Sequence, residues 1–168
     1  SPSARSLGTY TFTNFLSKAA SFLLLFVFTN PLYITPAENG LLSLFSTSLL
    51  FLMPFISMGV VHSTGADFFK LDKNSFRNFF TSSFILPVAV TILSVAMMYA
   101  FREQLKAQFG LPFSFALLVP LVTFCIFCHE QLLNMARSNN EPGIYLRANI
   151  GKTILELGVS VILVIGLM

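Results

Sequence analysis

The sequence predicts an all-α protein, a polytopic transmembrane helix bundle with about five spanning helices. Apolar residues make up 55% of the 168 residues and charged residues only 10%, whereas a soluble domain carries roughly a quarter charged residues. The mean hydropathy is +0.77. The apolar residues also form runs of the ~20 residues that a helix needs to cross a bilayer. So few charges could not cover the surface of a soluble protein of this length, which leaves the membrane class.

Five apolar runs are separated by short links that contain turn-forming residues, such as "NPLYITPAENG" and "RSNNEPG". Short links predict that consecutive helices run antiparallel. The chain starts without methionine and stops inside the run "VILVIGLM", and we therefore expect a piece of a longer protein. The predicted spans form one transmembrane domain, 1–168, and cover 10–32, 41–61, 79–101, 111–137 and 144–168.

Three of the predicted spans contain an internal proline, namely Pro54, Pro87 and Pro120. Proline removes one helical hydrogen bond, but membrane helices tolerate it because neighbouring groups satisfy the freed carbonyl. We expect a kink at each proline, and a static kink is favoured over a moving hinge.

The basic residues predict how the spans are oriented. If the N-terminus is cytoplasmic, eight basic residues lie inside and two outside, as the positive-inside rule requires. All four tyrosines lie near predicted helix ends, which fits an aromatic belt at the membrane surfaces. The inside basic residues are Arg5, Lys18, Lys70, Lys73, Arg77, Arg137, Arg147 and Lys152, the outside ones are Arg102 and Lys106, and the tyrosines are Tyr10, Tyr33, Tyr99 and Tyr145.

A polar stripe marks the cytoplasmic half of the first span. Thr11, Asn14, Lys18 and Ser21 follow one another at helical spacing and therefore share one face. Lys18 could snorkel to the headgroups or line a water-filled cavity. The three polar companions favour the cavity, because a snorkelling lysine needs none. Asn14, Lys18 and Ser21 are the candidate substrate-binding residues.

Two further spans carry stripes of mainly polar residues spaced 4, 3 and 4 apart, which again share one helix face. In the fifth span, Lys152 lies four residues before Glu156, so the two side chains could form an ion pair. A carboxylate near the bilayer centre costs about 2.5–3.5 kcal/mol, so we expect Glu130 and Glu156 to face the bundle interior. Whether they couple transport to an ion or form structural ion pairs stays open. The stripes are Thr123, Phe127, Glu130 and Asn134, and Asn149, Thr153, Glu156 and Ser160.

The motifs of an enzyme are missing from the sequence. It contains no glycine-rich phosphate loop, no H-E-x-x-H, no G-x-S-x-G and no cluster with metal-ligand spacing. "CIFCH", residues 125–129, matches the haem-attachment pattern, but it lies within a span and is discounted. The net charge of +3 comes from scattered basic residues and indicates no nucleic-acid partner. We expect neither an enzyme nor a bound cofactor or metal.

Taken in order, several motifs resemble the polysaccharide biosynthesis family, the O-antigen flippases of the multidrug/oligosaccharidyl-lipid/polysaccharide exporter superfamily. The resemblance covers the whole chain. Its departures are Asn30 and Ala66, where many relatives have arginine. The matching features are Asn14 and Lys18 in the first helix, Glu38-Asn39-Gly40 in the first loop, Pro54 to Gly59, "FFKLDKNSF" at 68–76, and "LNMARSNNEPGIYLRANI" with Arg137 at a basic position of the family.

This resemblance implies part of the N-terminal lobe of a two-lobe exporter. Such proteins move a polyprenyl-diphosphate-linked oligosaccharide, for example an O-antigen unit of lipopolysaccharide, across the bacterial inner membrane by alternating access. Lys18 would bind the anionic diphosphate. The implied partners are this lipid-linked oligosaccharide, membrane lipid, H⁺ or Na⁺ as coupling ion, and other polysaccharide assembly proteins. The alternatives are an ion-coupled multidrug antiporter of the same superfamily and a small membrane anchor or assembly subunit.

Overall fold

The computed structural model describes the backbone of residues 2–28, 35–110 and 113–166 and most of their side chains. These residues form eight α-helices, and no strand occurs among them, as the composition predicts. In chain order the helices are α1 Pro2–Phe28, α2 Pro36–Ser57, α3 Val60–Asp67, α4 Lys73–Ser83, α5 Ile85–Ala100, α6 Arg102–Phe109, α7 Phe113–Ser138 and α8 Pro142–Gly166.

Three helical stretches of the described chain are long and apolar enough to cross a membrane. They are Pro36–Ser57, Lys73–Ala100 and Ala116–Ser138, with mean hydropathies of 1.8, 2.0 and 1.8. Few residues of the first two stretches are buried, 6% and 11% of their apolar windows, whereas 39% of the third window is buried. Exposed apolar helices of this length are typical of a membrane protein. The prediction of about five spans also includes α1 and α8, whose apolar halves have side chains outside the described set.

The predicted second span is divided into α2 and α3 by two residues with positive φ. Met58 has φ 42° and Gly59 has φ 75°. Left-handed residues commonly end helices. Glycine adopts this conformation freely, but a residue with a Cβ does so at a cost. The sequence shows only a glycine inside an apolar run, so the break itself was not predicted.

The predicted third span is also interrupted, at Phe84 between α4 and α5. Pro87 explains the position of this break, because a proline ring collides with the carbonyl four residues earlier. That carbonyl belongs to Ser83, the last residue of α4. Pro54 and Pro120 lie within continuous helices instead. The link that follows Ala100 forms the short helix α6, which ends at Gly110 with φ 64°.

Side-chain caps fix the first turns of α2 and α4. Thr35 and Glu38 form a capping box around Pro36: Glu38 Oε2 accepts from the Thr35 amide at 2.8 Å, and the Glu38 amide donates to Thr35 Oγ1 at 3.4 Å. Asp72 Oδ2 accepts from the amides of Asn74 and Ser75 at 3.2 and 3.3 Å. These bonds satisfy amides that have no partner within the helix.

The chain divides into two compact units. One contains Ser1–Gly40 and Met135–Met168, and the other contains Leu41–Asn134. In the first unit α1 packs along α8. Tyr10 contacts Tyr145, and further along both helices Ser17 contacts Thr153. The contacts advance in the same direction on the two helices, so α1 and α8 run parallel.

In the second unit a chain of phenylalanine rings joins α4 to α7. Phe76 and Phe80 lie 6.1 Å apart, Phe80 and Phe84 5.3 Å, and Phe84 and Phe127 5.5 Å between ring centroids. These distances suit edge-to-face and tilted aromatic packing. Phe127 is fully buried, so the chain of rings connects α4, through Phe84 after its last residue, to the buried side of α7.

Replacing Gly59 with alanine should destabilise the α2–α3 break. A Cβ in left-handed backbone costs about 1–2 kcal/mol, although no neighbouring atom lies within 4 Å of it. Met58→Gly is the matched control, because it removes such a cost and should leave stability unchanged or higher. Thermal unfolding midpoints of the full chain in detergent test this. Equal losses of thermal stability in Gly59→Ala and Met58→Gly would contradict the assignment of a left-handed break at Gly59.

The cap at Asp72 should depend on pH. Hydrogen bonds from the side chain and amide of Ser75 hold the pKa of Asp72 below its ordinary value of 3.8. The cap is therefore fully present above that value and is lost as the pH falls through the lowered pKa. As the pH falls through the lowered pKa, amide hydrogen exchange in residues 73–77 should become faster in the parent than in Asp72→Asn. The asparagine keeps an acceptor but does not titrate. Identical profiles would rule this cap out.

Candidate functional site

A cluster of polar and aromatic side chains joins α1 to α8 around Tyr145. The Tyr145 hydroxyl donates to Asn14 Oδ1 at 2.7 Å and accepts from Arg137 Nη2 at 3.1 Å. Arg137 Cζ also lies 5.0 Å from the centroid of the Tyr145 ring, within the range of a cation–π contact. On another side the Tyr10 ring packs edge-on at 4.8 Å. Only 1% of Tyr145 is exposed, whereas Asn14 and Arg137 are exposed residues that cover it from the surface; we call these four residues the Tyr145 cluster.

The tight link between α7 and α8 brings Arg137 and Tyr145 together. Asn140 adopts a left-handed conformation with φ 54°, and the Glu141 amide donates to the Ala136 carbonyl at 2.8 Å. This is the hydrogen-bond pattern of a left-handed helix end. The chain then re-enters a helix at Pro142, and one turn of α8 carries Tyr145 back toward Arg137.

A second polar contact lies further along α1 and α8. The hydroxyls of Ser17 and Thr153 are 3.0 Å apart, and Thr153 donates to the Asn149 carbonyl at 2.9 Å. Asn149 and Thr153 are each only 8% exposed, so the polar stripe predicted for the fifth span does face a neighbouring helix as far as Thr153. The side chains of Glu156 and Ser160, which continue that stripe, lie outside the described residues.

Lys18 occupies a different side of α1. At 100° per residue it lies about 140° around the helix from Thr13, which is fully buried. Lys18 and Thr11 are both exposed, and in the described part of the chain Lys18 has no hydrogen bond or ion pair. Asn14 lies between the two sides and reaches Tyr145. The Ser21 side chain, the third candidate substrate-binding residue, is outside the described set.

The exposed side of α1 also carries a shallow apolar groove of about 560 Å³. It begins one turn before Lys18, and its neighbouring phenylalanine side chains are strongly exposed, Phe15 at 69%. The face predicted to line a cavity is therefore open and mixes one cation with aromatic surface. The groove residues are Leu7, Gly8, Thr11, Phe12 and Phe15.

In the second unit, polar side chains of α7 contact α3. Gln131 Nε2 donates to Thr64 Oγ1 at 3.4 Å, and Asn134 Nδ2 donates to the Val61 carbonyl. Asn134 also packs against Gly65, where an added Cβ would approach its amide to 3.1 Å. Buried amide bonds between membrane helices usually serve packing. We assign these contacts to the structure of the unit.

The residues proposed for ion coupling are placed only in part. Glu130 is half-buried on α7 and makes no ion pair within the described chain. Lys152 is half-buried on α8, and its suggested partner Glu156 has a side chain outside the described residues. The choice between ion coupling and a structural pair therefore stays open. No group of three His, Cys, Asp or Glu side chains that could hold a metal is found in the described part.

The tyrosines do not all behave as an aromatic belt. Tyr99 is 58% exposed near the end of α5 and has Arg102 stacked at 5.4 Å, as expected at a membrane surface. Tyr145 differs because Asn14 and Arg137 satisfy its hydroxyl, which allows the whole side chain to be buried. Tyr10 is half-buried against it, and Tyr33 lies outside the described residues. Sequence position alone cannot separate these two environments.

The sequence analysis missed the central role of Tyr145 and Arg137. The only signal was their separation by eight residues across a link rich in turn formers, which predicts that two helix ends meet. No protein-family model matches this sequence, and neither a curated protein nor a solved structure matches it significantly.

The hydroxyl of Tyr145 should be much more important for stability than that of Tyr10. Tyr145→Phe keeps the ring but removes the hydrogen bonds to Asn14 and Arg137, which should cost about 0.5–1.5 kcal/mol because both partners are exposed and can be solvated. Tyr10→Phe is the matched control, because the buried Tyr10 hydroxyl has no hydrogen-bond partner among the described residues. The Tyr10→Phe variant should leave the thermal stability unchanged or raise it. Thermal unfolding of both variants in detergent measures the difference, and a reversed order would contradict the network.

Proposed function

We propose that this chain belongs to a transporter that moves a polyprenyl-diphosphate-linked oligosaccharide across the bacterial inner membrane. The order of motifs along the whole chain supports the family, and three apolar helices support a membrane location. The single observation that carries the proposal is Lys18, which is exposed on α1 one turn from Asn14 and has no hydrogen bond or ion pair among the described residues. A fixed cation in a membrane helix suits a diphosphate, which is compact and strongly anionic.

The parallel packing of α1 and α8 supports a five-span arrangement. Three stretches between them are long and apolar enough to cross the membrane. Three intervening crossings would make α1 and α8 cross in the same direction, as their contacts in the first unit require. In this proposal the chain supplies part of one lobe, and alternating access needs the second lobe.

The charges of the first unit support a cytoplasmic N-terminus. Lys18 lies one turn beyond Asn14, while Arg137 and Tyr145 lie beside Asn14. Arg147 follows two residues after Tyr145 and is exposed. Parallel helices thus carry their cations at the same end of the pair, and the positive-inside rule places such an end in the cytoplasm. The diphosphate headgroup would be bound from that side.

An ion-coupled antiporter for cationic drugs is the second candidate, and Glu130 favours it. This half-buried carboxylate has no ion-pair partner in the described chain, and it could bind H⁺ or Na⁺. The open face of α1 favours the flippase instead, because it presents an ammonium group, which would repel a cationic drug. Glu130 can also serve the flippase as its ion-coupling group. Substitution of Lys18 therefore distinguishes the two candidate functions better than substitution of Glu130 does.

Surface polysaccharide in cells that depend on this gene should fall when Lys18 is replaced by alanine. A hydrogen bond to a charged group is worth about 1.5–3 kcal/mol, so a loss on the order of 10- to 100-fold in headgroup affinity is expected. Lys18→Arg should retain most activity because it keeps the charge.

Lys106→Ala is the matched control for this experiment. Lys106 is an exposed cation on α6, on the side predicted to face away from the cytoplasm, and its removal should have no effect. Normal polysaccharide in the Lys18→Ala cells together with altered drug sensitivity would favour the antiporter and overturn the proposal.

A further inference from the structure

The turn before α4 and the exposed face of α4 carry a group of basic residues that no interaction within the described chain neutralises. Lys70 lies in the turn after α3, and Lys73 and Arg77 lie four residues apart on α4. All three are exposed. The only ion pair among described residues joins Arg102 to Glu103. We call Lys70, Lys73 and Arg77 the basic row.

No interaction within the described chain favours placing the cations of the basic row next to one another. Like charges four residues apart on a helix repel each other and destabilise it. The nearby carboxylates compensate only partly: Asp72 is directed to the amides of Asn74 and Ser75, and Asp67 lies before the turn. An anionic partner outside the chain would remove the repulsion.

Aromatic packing fixes the side of α4 that adjoins the basic row, because at 100° per residue Phe80 lies about 20° around the helix from Lys73 and about 60° from Arg77. Phe76 contacts Phe68 at 5.2 Å and Phe80 at 6.1 Å, and the ring chain continues to the buried Phe127. The polar face is therefore held outward as a fixed surface. Beside the basic row it forms a shallow polar groove of about 550 Å³, which is lined by Asn74, Arg77, Asn78, Thr81 and Ser82.

The length of the span places this surface at the membrane boundary. The stretch Lys73–Ala100 has 28 residues and is about 42 Å long at 1.5 Å per residue, against a hydrocarbon thickness of about 30 Å. About eight residues must therefore extend into the headgroup layer. The charged end must be the one that extends, because Lys73 and Arg77 are costly in hydrocarbon.

We propose that Lys70, Lys73 and Arg77 bind the phosphate groups of anionic phospholipids in the membrane leaflet that surrounds α4. Two apolar side chains next to the row, Phe69 and Leu71, are 76% and 39% exposed and enter the acyl boundary. The polar side chains of Asn74 and Asn78 donate to the same headgroups. This interaction does not depend on what the protein transports.

A fluorescent reporter at position 78 tests the proposal in the full chain. Cys125 and Cys128 are first replaced by serine, and Asn78→Cys is labelled with bimane. The protein is reconstituted into phosphatidylcholine vesicles that contain either brominated phosphatidylglycerol or the same amount of brominated phosphatidylcholine. Brominated phosphatidylglycerol should quench the label more strongly. The preference should fall about fivefold for each cation removed.

Two comparisons show which part of the chain is responsible for the preference for phosphatidylglycerol. Lys70→Gln, Lys73→Gln and Arg77→Gln together should abolish the preference, whereas Arg102→Gln with Lys106→Gln should preserve it. A label at Gln108→Cys on α6 should show a smaller preference than the label at position 78. Added salt should weaken the preference in the parent protein, and this measurement holds even if the triple variant does not fold.

Each remaining outcome overturns the proposal. Equal quenching by the two brominated lipids in the parent would show that the basic row does not select anionic headgroups. Absence of quenching by either lipid would place α4 away from the membrane. A preference that survives both the triple substitution and added salt would assign lipid selection to other residues.

Discussion

The first unit depends on the hydrogen bonds and ring contacts of Tyr145, which hold together two helices from opposite ends of the chain. Asn14 and Tyr145 are separated by 131 residues, so no local preference brings them together. Inside a membrane, lipid tails solvate leucine as well as another helix does, and association therefore relies on packing and hydrogen bonds. A tyrosine bonded to both Asn14 and Arg137 provides both, and together with the Ser17–Thr153 contact further along it holds α1 and α8 parallel.

The long apolar helices followed from local chemistry in the sequence, whereas α3, most of α4 and α6 lie in segments that the sequence analysis treated as links. Apolar runs predict α1, α2, α5, α7 and α8 because a bilayer requires such runs. Thr35 with Glu38, and Asp72, are capping residues at the expected spacing. The break before α5 could have been derived from Pro87. The break at Met58 and Gly59 could not, because both residues lie inside an apolar run and one of the two left-handed residues is a methionine, for which the sequence gives no such signal.

The candidate site could be predicted only in part, because periodicity states which residues share a face and not what that face contacts. Asn149 and Thr153 were correctly placed together, and both are buried. Thr13 and Ser17, outside the predicted stripe of α1, contribute more to helix packing than Thr11 and Lys18 do. Tyr145 was assigned to the membrane surface because it lies near a helix end, and only the three-dimensional contact with Asn14 reveals its burial.

The polar residues of α1 thus serve two different purposes. Thr13 satisfies its hydroxyl within α1 by donating to the Thr9 carbonyl at 2.7 Å, and Ser17 contacts Thr153, so both are explained by packing. Lys18 is not, since the described chain gives it no partner. If α1 crosses the bilayer, as the sequence predicts, a lysine at this depth costs about 2.5–3.5 kcal/mol, and apolar packing elsewhere in α1 does not require one. Water or lipid headgroups offset that cost for a lysine that snorkels, and in the proposed flippase the diphosphate of the substrate would take their place.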